Sequence, residues 1–211
     1  MPLVYRLVAL TVRRPLTAIY RIDREGWERI PTSGPAVLAS NHDSLLDGFV
    51  LPIATRRIVH FMAKAELFGY PLLKQLMWSA GTFPVERGAG DERAIERGLE
   101  LLERGELVGV FPQGTCLPYR DRPWRRGAAR LAIEAGAPLV PICLVNTEKA
   151  LRPHRPRIGL PKIHLLVGEP LAPDGTATEL TVRLEEAVAT LRAPHGPPAH
   201  VWIEGPPPRR L

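Results

Sequence analysis

The stretch RGAARLAIEAGAPLVPICLVN, residues 126–146, joins a helix signal directly to a strand signal. Its first half places apolar residues on one face at helical spacing, and Gly136 is a typical helix stop. The run 139–145 that follows has no charged position, which is typical of a strand covered on both faces of a parallel sheet. A helix that leads into a buried strand is the repeating unit of α/β folds.

The same kind of unit recurs along the chain. Helical patterns are predicted over 91–105, with Asp91 as a candidate N-cap, and around 180–191. The runs that predict buried strands are 36–39, 58–62, 107–111, 139–145 and 163–167. The sequence therefore predicts one α/β domain over 25–192, with a mixed, largely parallel sheet flanked by helices.

The two ends of the chain are predicted to differ from this domain. Residues 1–24 form an N-terminal amphipathic helical segment with an apolar face at Leu3, Leu7 and Leu10, and Pro15 is expected to break the helix. A helix that lies on a membrane surface and a helix that packs on the domain fit this pattern equally well. The Pro-rich tail over 193–211 has no sustained period and is predicted to be loose.

Composition narrows the classes of partner. The net charge of +6 and the pI of about 9.8 favour anionic partners such as nucleic acid, anionic lipid or phosphorylated substrates. Only residues 119–130 interleave basic and aromatic residues, so no nucleic-acid partner is expected. The two cysteines lack metal-ligand spacing, and no signal peptide is evident. The expected location is the cytoplasmic side, either soluble or peripheral to a membrane.

The stretch SNHDSLLD, residues 40–47, is the candidate catalytic motif. If His42 lies in the turn after the strand and Asp47 in the first turn of a helix, the carboxylate can orient the imidazole as a general base. The alternative is structural. Ser44 and Asp47 also resemble a capping box, and His42 then becomes a hydrogen-bonded turn residue.

Further segments carry a family resemblance. NHDSLLD resembles the His-x4-Asp motif of the glycerophospholipid acyltransferase family, whose best-known branch acylates lysophosphatidic acid. The similarity covers about Gly26 to Asn146. The segments that extend it, in chain order, are AKAELFGYPLL (63–73), GTFPVERG (81–88), VGVFPQGT (108–115) and the stretch 126–146.

The resemblance implies a reaction without cofactor or metal. An acyl group passes from a thioester, acyl-CoA or acyl carrier protein, to a hydroxyl acceptor, by default lysophosphatidic acid, which gives phosphatidic acid. His42 would be the base and Asp47 its orienting carboxylate. Backbone N–H groups near Gly114 and Thr115 would bind the oxyanion.

The resemblance also implies an acceptor site. Lys64 and Arg87 would face the phosphate, together with Gln113, Gly114 and Thr115; the alternative for the two cations is a solvated surface. The implied partners are the acyl donor, a lipid or other hydroxyl acceptor, and a peripheral membrane surface.

Two positions depart from the family pattern. Gln113 stands where the family has glutamate, and Cys116 stands where arginine is frequent. A nearby basic cluster is the candidate replacement for that cation; it comprises Arg120, Arg122, Arg125 and Arg126. These departures keep two alternatives open: a non-phospholipid acceptor such as a glycoside or specialised metabolite, and a catalytically inactive lipid-binding relative.

Overall fold

The computed structural model describes residues 12–64, 69, 82–85, 91–118, 123–152 and 155–199, with the backbone alone for 62–64, 83–85, 91, 152 and 155–157. Arg87 and two arginines of the basic cluster, Arg120 and Arg122, lie outside the described residues.

The predicted sheet is present, and in the described part of the chain it has seven strands in the order β1-β9-β6-β2-β5-β3-β4. The strands are β1 Asp23–Glu25, β2 Ala36–Ser40, β3 Val59–Lys64, β4 Phe83–Val85, β5 Leu107–Val110, β6 Leu139–Val145, β7 Leu151–Arg152, β8 Arg155–Ile158 and β9 His164–Val167. Neighbours in the sheet run parallel except β6 and β9, so the predicted mixed, largely parallel sheet is confirmed. β7 and β8 form a separate antiparallel hairpin.

Helices lie between the strands as predicted. They are α1 over 12–19, α2 Asp47–Val50, α3 Asp91–Glu103, α4 Gly127–Ala135, α5 Thr147–Ala150 and α6 Ala177–Arg192. The stop at Gly136 is confirmed, since this residue adopts φ 59° and its N–H donates to the Ile133 carbonyl.

A separate hydrophobic core packs against each face of the sheet. Val37 and Ala39 of β2 point to the face covered by α3, α4 and α6, whereas Leu38 points to the opposite face, against β6 and α2. Burial on both faces explains why the central strands read as uninterrupted apolar runs.

The described part of the N-terminal segment packs on the domain. Leu16 lies against the core, and the Arg13 guanidinium donates to the carbonyls of Ile53 and Thr55 at 2.9 Å each. The prediction that Pro15 breaks the helix is wrong, because residues 12–19 are helical and these tertiary contacts hold them in place. The predicted apolar face at Leu3, Leu7 and Leu10 lies outside the described residues.

The C-terminal tail is described only to residue 199. Ala193–His195 form a turn of 3-10 helix, and the Ala199 N–H donates to Glu148 at 3.1 Å. Looseness of the remainder, 200–211, stays a prediction. Among the described helices, none is long and apolar enough to cross a membrane.

Candidate active site

The candidate site lies where β2 and β5 end. These strands are parallel neighbours, so the loops that follow them emerge at the same edge of the sheet. The loop after β2, residues 41–46, contains His42, and we call it the catalytic loop. The loop after β5 contains Phe111 and Gln113.

The structure brings His42 and Asp47 together as the sequence predicted. His42 lies in the turn, Asp47 is the first residue of α2, and His42 Nδ1 is 2.9 Å from Asp47 Oδ2. Because an ionised carboxylate only accepts hydrogen bonds, Nδ1 carries the proton and Nε2 keeps its lone pair. A histidine in this tautomer can accept a proton from a substrate hydroxyl.

Asp47 also organises the backbone of the catalytic loop. The fully buried carboxylate accepts the N–H groups of Asp43 and Ser44 at 2.8 Å each, on the same Oδ2 that binds His42. The orienting role and half of the capping-box pattern therefore coexist in one side chain.

Ser44 is not the helix N-cap, so that prediction is wrong. α2 begins after Leu46, and no side chain caps it. The Ser44 hydroxyl instead donates to the Leu151 carbonyl at 2.7 Å and accepts the Leu46 N–H. It ties the catalytic loop to the β7–β8 hairpin, a contact between residues 107 positions apart.

Aromatic stacking fixes the plane of the imidazole. The His42 ring lies on Phe111 with centroids 4.3 Å apart, and Phe111 lies on Phe61 at 5.7 Å. Gly109 makes this stack possible, because a Cβ at that position would lie 2.4 Å from the Phe61 ring. The ring is therefore held by its face as well as by its Nδ1 hydrogen bond.

Gln113 contacts the catalytic loop directly. Its side-chain oxygen accepts the His42 backbone N–H, so it anchors the loop that carries the base. An amide oxygen and a carboxylate oxygen both accept hydrogen bonds. Gln113 therefore makes a contact that the glutamate expected from the resemblance could also make.

The Gly114 N–H, a candidate oxyanion donor, already donates within its own turn in this structure, and the oxyanion role near Gly114 and Thr115 stays a prediction. Gly114 has φ 68°, and its N–H donates to the Phe111 carbonyl at 2.9 Å within the turn. Thr115 lies beside it, where its hydroxyl accepts the Leu117 N–H at 3.2 Å. Turn formation thus uses the Gly114 donor that the sequence pattern assigned to the oxyanion.

Among the expected cations whose side chains the structure describes, Arg125 lies against the loop after β5. A Cβ on Gly114 would lie 3.1 Å from Arg125 Nε, and the Arg125 N–H donates to the Pro112 carbonyl. Lys64 ends β3, and its backbone pairs with Val85 of β4. Arg87, two residues beyond β4, lies outside the described residues, so the roles predicted for both cations stay predictions.

The cysteines are unsuited to nucleophilic catalysis. Both thiols are buried, and burial raises the pKa of Cys143 to about 12. A thiol with such a pKa is almost entirely protonated near neutral pH and is a poor nucleophile. Cys143 is therefore not a suitable nucleophile.

A buried polar cluster behind the catalytic loop was missed by sequence reasoning. Asn41 bonds the backbone of Leu144 through both atoms of its amide, at 2.8 and 2.9 Å, and its Nδ2 also donates to Asp43 at 2.6 Å. Arg192 reaches Asp43 and the Leu144 carbonyl from the end of α6. Asn41 and Asp43 belong to the recognisable motif, but no local signal points to Arg192, which lies 149 positions after Asp43.

In the described part of the chain, the group whose ligand atoms could hold a metal ion lies away from the site. Asp23, Glu25 and His164 have ligand atoms within 4.8 Å of one another, on β1 and β9. The Lys162 ammonium already lies 2.9 Å from Asp23 and lowers the pKa of that carboxyl. β9 is separated from β2 by β6, so this group does not reach His42.

Comparisons with known proteins identify the family. A family model described as Acyltransferase matches residues 21–145. A Bacillus subtilis 1-acyl-sn-glycerol-3-phosphate acyltransferase is 32% identical over 145 residues, which are 68% of this chain and 70% of the relative. A chloroplastic protein of the same description from Brassica napus is 34% identical over 63% of this chain, but the match spans only 39% of its own length.

The fold is shared with a solved structure. The crystal structure of the 1-acyl-sn-glycerophosphate (LPA) acyltransferase PlsC from Thermotoga maritima matches with a TM-score of 0.79 and 22% identity. The match covers 93% of this chain and 81% of that one. The predicted α/β architecture is therefore confirmed at the level of the whole fold.

Proposed function

The chain belongs to the acyltransferase family, and from this premise we propose that it transfers an acyl group from a thioester to the free hydroxyl of lysophosphatidic acid. The observation that carries the proposal is the 2.9 Å pair between His42 Nδ1 and Asp47 Oδ2. The relatives described as 1-acyl-sn-glycerol-3-phosphate acyltransferases support the choice of acceptor.

The proposed chemistry is one acyl transfer in two steps. His42 Nε2 takes the proton of the acceptor hydroxyl as its oxygen attacks the thioester carbonyl. The tetrahedral intermediate then collapses, the C–S bond breaks, and the leaving thiolate takes the proton from the imidazolium. Asp47 stabilises that imidazolium while it exists. No covalent acyl-enzyme is needed, in keeping with a Ser44 hydroxyl that donates to Leu151 and a protonated Cys143.

A positively charged rim would bind the acceptor phosphate. Arg125 lies against Gly114, at the turn that also positions Gln113, and it offers a forked guanidinium to phosphate oxygens. We propose that Lys64 and Arg87 lie at the same edge of the sheet, beyond β5, because β3 and β4 follow β5 in the order of the strands. In this arrangement Arg125 supplies the cation that Cys116, a buried thiol, cannot supply.

We also propose that the site works against a membrane surface. Leu45 lies within the motif and Phe49 two residues after it, and they are 55% and 41% exposed. Ile158 is exposed on β8, where it pairs with Leu151, the residue whose carbonyl binds Ser44. Apolar side chains exposed beside the base would contact the lipid layer from which the acceptor is drawn.

The decisive experiment is acyl transfer by the purified chain, read by mass spectrometry. Acyl-CoA and acyl carrier protein are tried as donors, with lysophosphatidic acid and a lysolipid without phosphate as acceptors. We expect phosphatidic acid as the main product and none from His42→Ala. Efficient turnover of the phosphate-free acceptor alone would refute the proposed acceptor, and absence of transfer to either acceptor from either donor would refute the function.

A further inference from the structure

Three charged side chains lie buried together behind the catalytic loop. Asp43 belongs to that loop, Glu148 to α5 and Arg192 to the end of α6. Their side chains are only 6%, 1% and 13% exposed. The three residues come from distant parts of the chain, and we call them the buried charge cluster.

Arg192 connects the other members of this cluster. Its Nη1 donates to Asp43 Oδ2 at 3.5 Å and to the Leu144 carbonyl at 3.0 Å. Its Nη2 lies 3.6 Å from Glu148 Oε1. Asn41 Nδ2 donates to the same Asp43 oxygen and to the same Leu144 carbonyl. These contacts therefore hold Asn41 and Asp43, the residues on either side of His42, in place.

Stability alone is a poor explanation for the buried charge cluster. Replacing a buried ion pair with apolar side chains of similar volume is often neutral or stabilising, because the charges must be desolvated. Here one guanidinium faces two carboxylates, and among the described residues Arg192 Nε and Glu148 Oε2 have no hydrogen-bond partner. The contacts of this cluster with Asn41 and Asp43, the residues on either side of His42, therefore point to a role in the site.

We propose that Arg192 is a positioning residue for the catalytic loop, acting through Asp43. The Arg192–Asp43 contact fixes the backbone of residues 41–44 from behind, while Asp47 fixes it from the side of α2. His42 is then held between two anchored neighbours, with its Nε2 directed at the acceptor. The effect on turnover rests on the proposed acyl transfer, whereas the effect on the conformation of residues 41–44 does not.

The test uses the full chain and two readouts. Arg192→Met keeps most of the side-chain volume and removes the charge, and it should lower kcat about 10²-fold with little change in KM, as expected for a base displaced by about 1 Å. Amide hydrogen exchange at residues 41–44, followed by mass spectrometry, should become faster by about tenfold or more. The matched control is Arg183→Met on the same helix, α6, which removes an exposed ion pair with Asp174 and should change neither readout.

A double-mutant cycle identifies Asp43 as the link. Adding Asp43→Asn to Arg192→Met removes the carboxylate that would be left buried without its cation, so part of kcat should return. Additive losses would overturn the proposal, and so would wild-type exchange at residues 41–44 in folded Arg192→Met. Where Arg192→Met does not fold, Arg192→Gln, which also removes the charge, is tested for the same outcomes. If the wild type transfers no acyl group, the exchange readout still decides the positioning role, separately from the proposed function.

Discussion

Gly109→Ala tests whether the aromatic stack positions the base. Gly109 pairs with Phe61 across β5 and β3, and the Phe61 ring occupies the space that a Cβ would need. Phe61 stacks on Phe111, and Phe111 stacks on His42. A methyl group added in the strand is therefore expected to displace the base through two rings.

The magnitude follows from the contacts. The new Cβ would lie 2.4, 2.7 and 2.8 Å from three atoms of the Phe61 ring. The ring must therefore move by about 1 Å to restore van der Waals contact. Overpacking of this kind costs about 1–3 kcal/mol in the free energy of unfolding, and each kcal/mol lowers Tm by about 2–4 °C in a domain of this size. If the shift reaches His42, kcat should fall by up to about 10²-fold.

Calorimetry and steady-state kinetics measure the two effects separately. Gly127→Ala is the matched control, because a Cβ there meets nothing within 4 Å. Adding Phe61→Leu to Gly109→Ala makes room for the methyl group and should recover part of Tm, though not the lost stacking. A Gly109→Ala variant with wild-type Tm and kcat would show that the stack neither resists the methyl group nor positions His42.

Three further outcomes are expected. His42→Ala should lower kcat about 10²–10⁴-fold without changing Tm appreciably, and Asp47→Asn should cost the same or less; near-normal turnover by His42→Ala would contradict the mechanism. Gln113→Glu should keep kcat/KM for lysophosphatidic acid at or above the wild-type value, since a carboxylate oxygen still accepts the His42 N–H, whereas a large loss would indicate a site adapted to an uncharged acceptor. Replacing both Leu45 and Phe49 with serine should weaken sedimentation with anionic vesicles while leaving Tm unchanged; unaltered vesicle binding would remove this surface from the proposal.

Much of the fold can be predicted from local patterns in the sequence. The runs 36–39, 107–111 and 139–145 identify buried strands because both faces of a central parallel strand are dry, and its positions are then apolar. Gly136 marks a helix end because few other residues adopt its backbone conformation at low cost. β1 and β4 were missed, since three-residue edge strands have no period to detect. The pairing of His42 with Asp47 was also predictable, because the two residues are only five positions apart in the chain.

Contacts across the chain decided the rest. Whether the Gly114 N–H is free depends on the turn it closes, and whether Pro15 ends a helix depends on what anchors Arg13 and Leu16. The contact of Arg192 with Asp43 joins residues 149 positions apart, and neither residue type is unusual where it stands. A sequence determines which groups a segment contains. The role of a buried charge, however, depends on the partner that offsets its desolvation cost. That partner becomes visible only when the sheet has brought the end of α6 behind the catalytic loop.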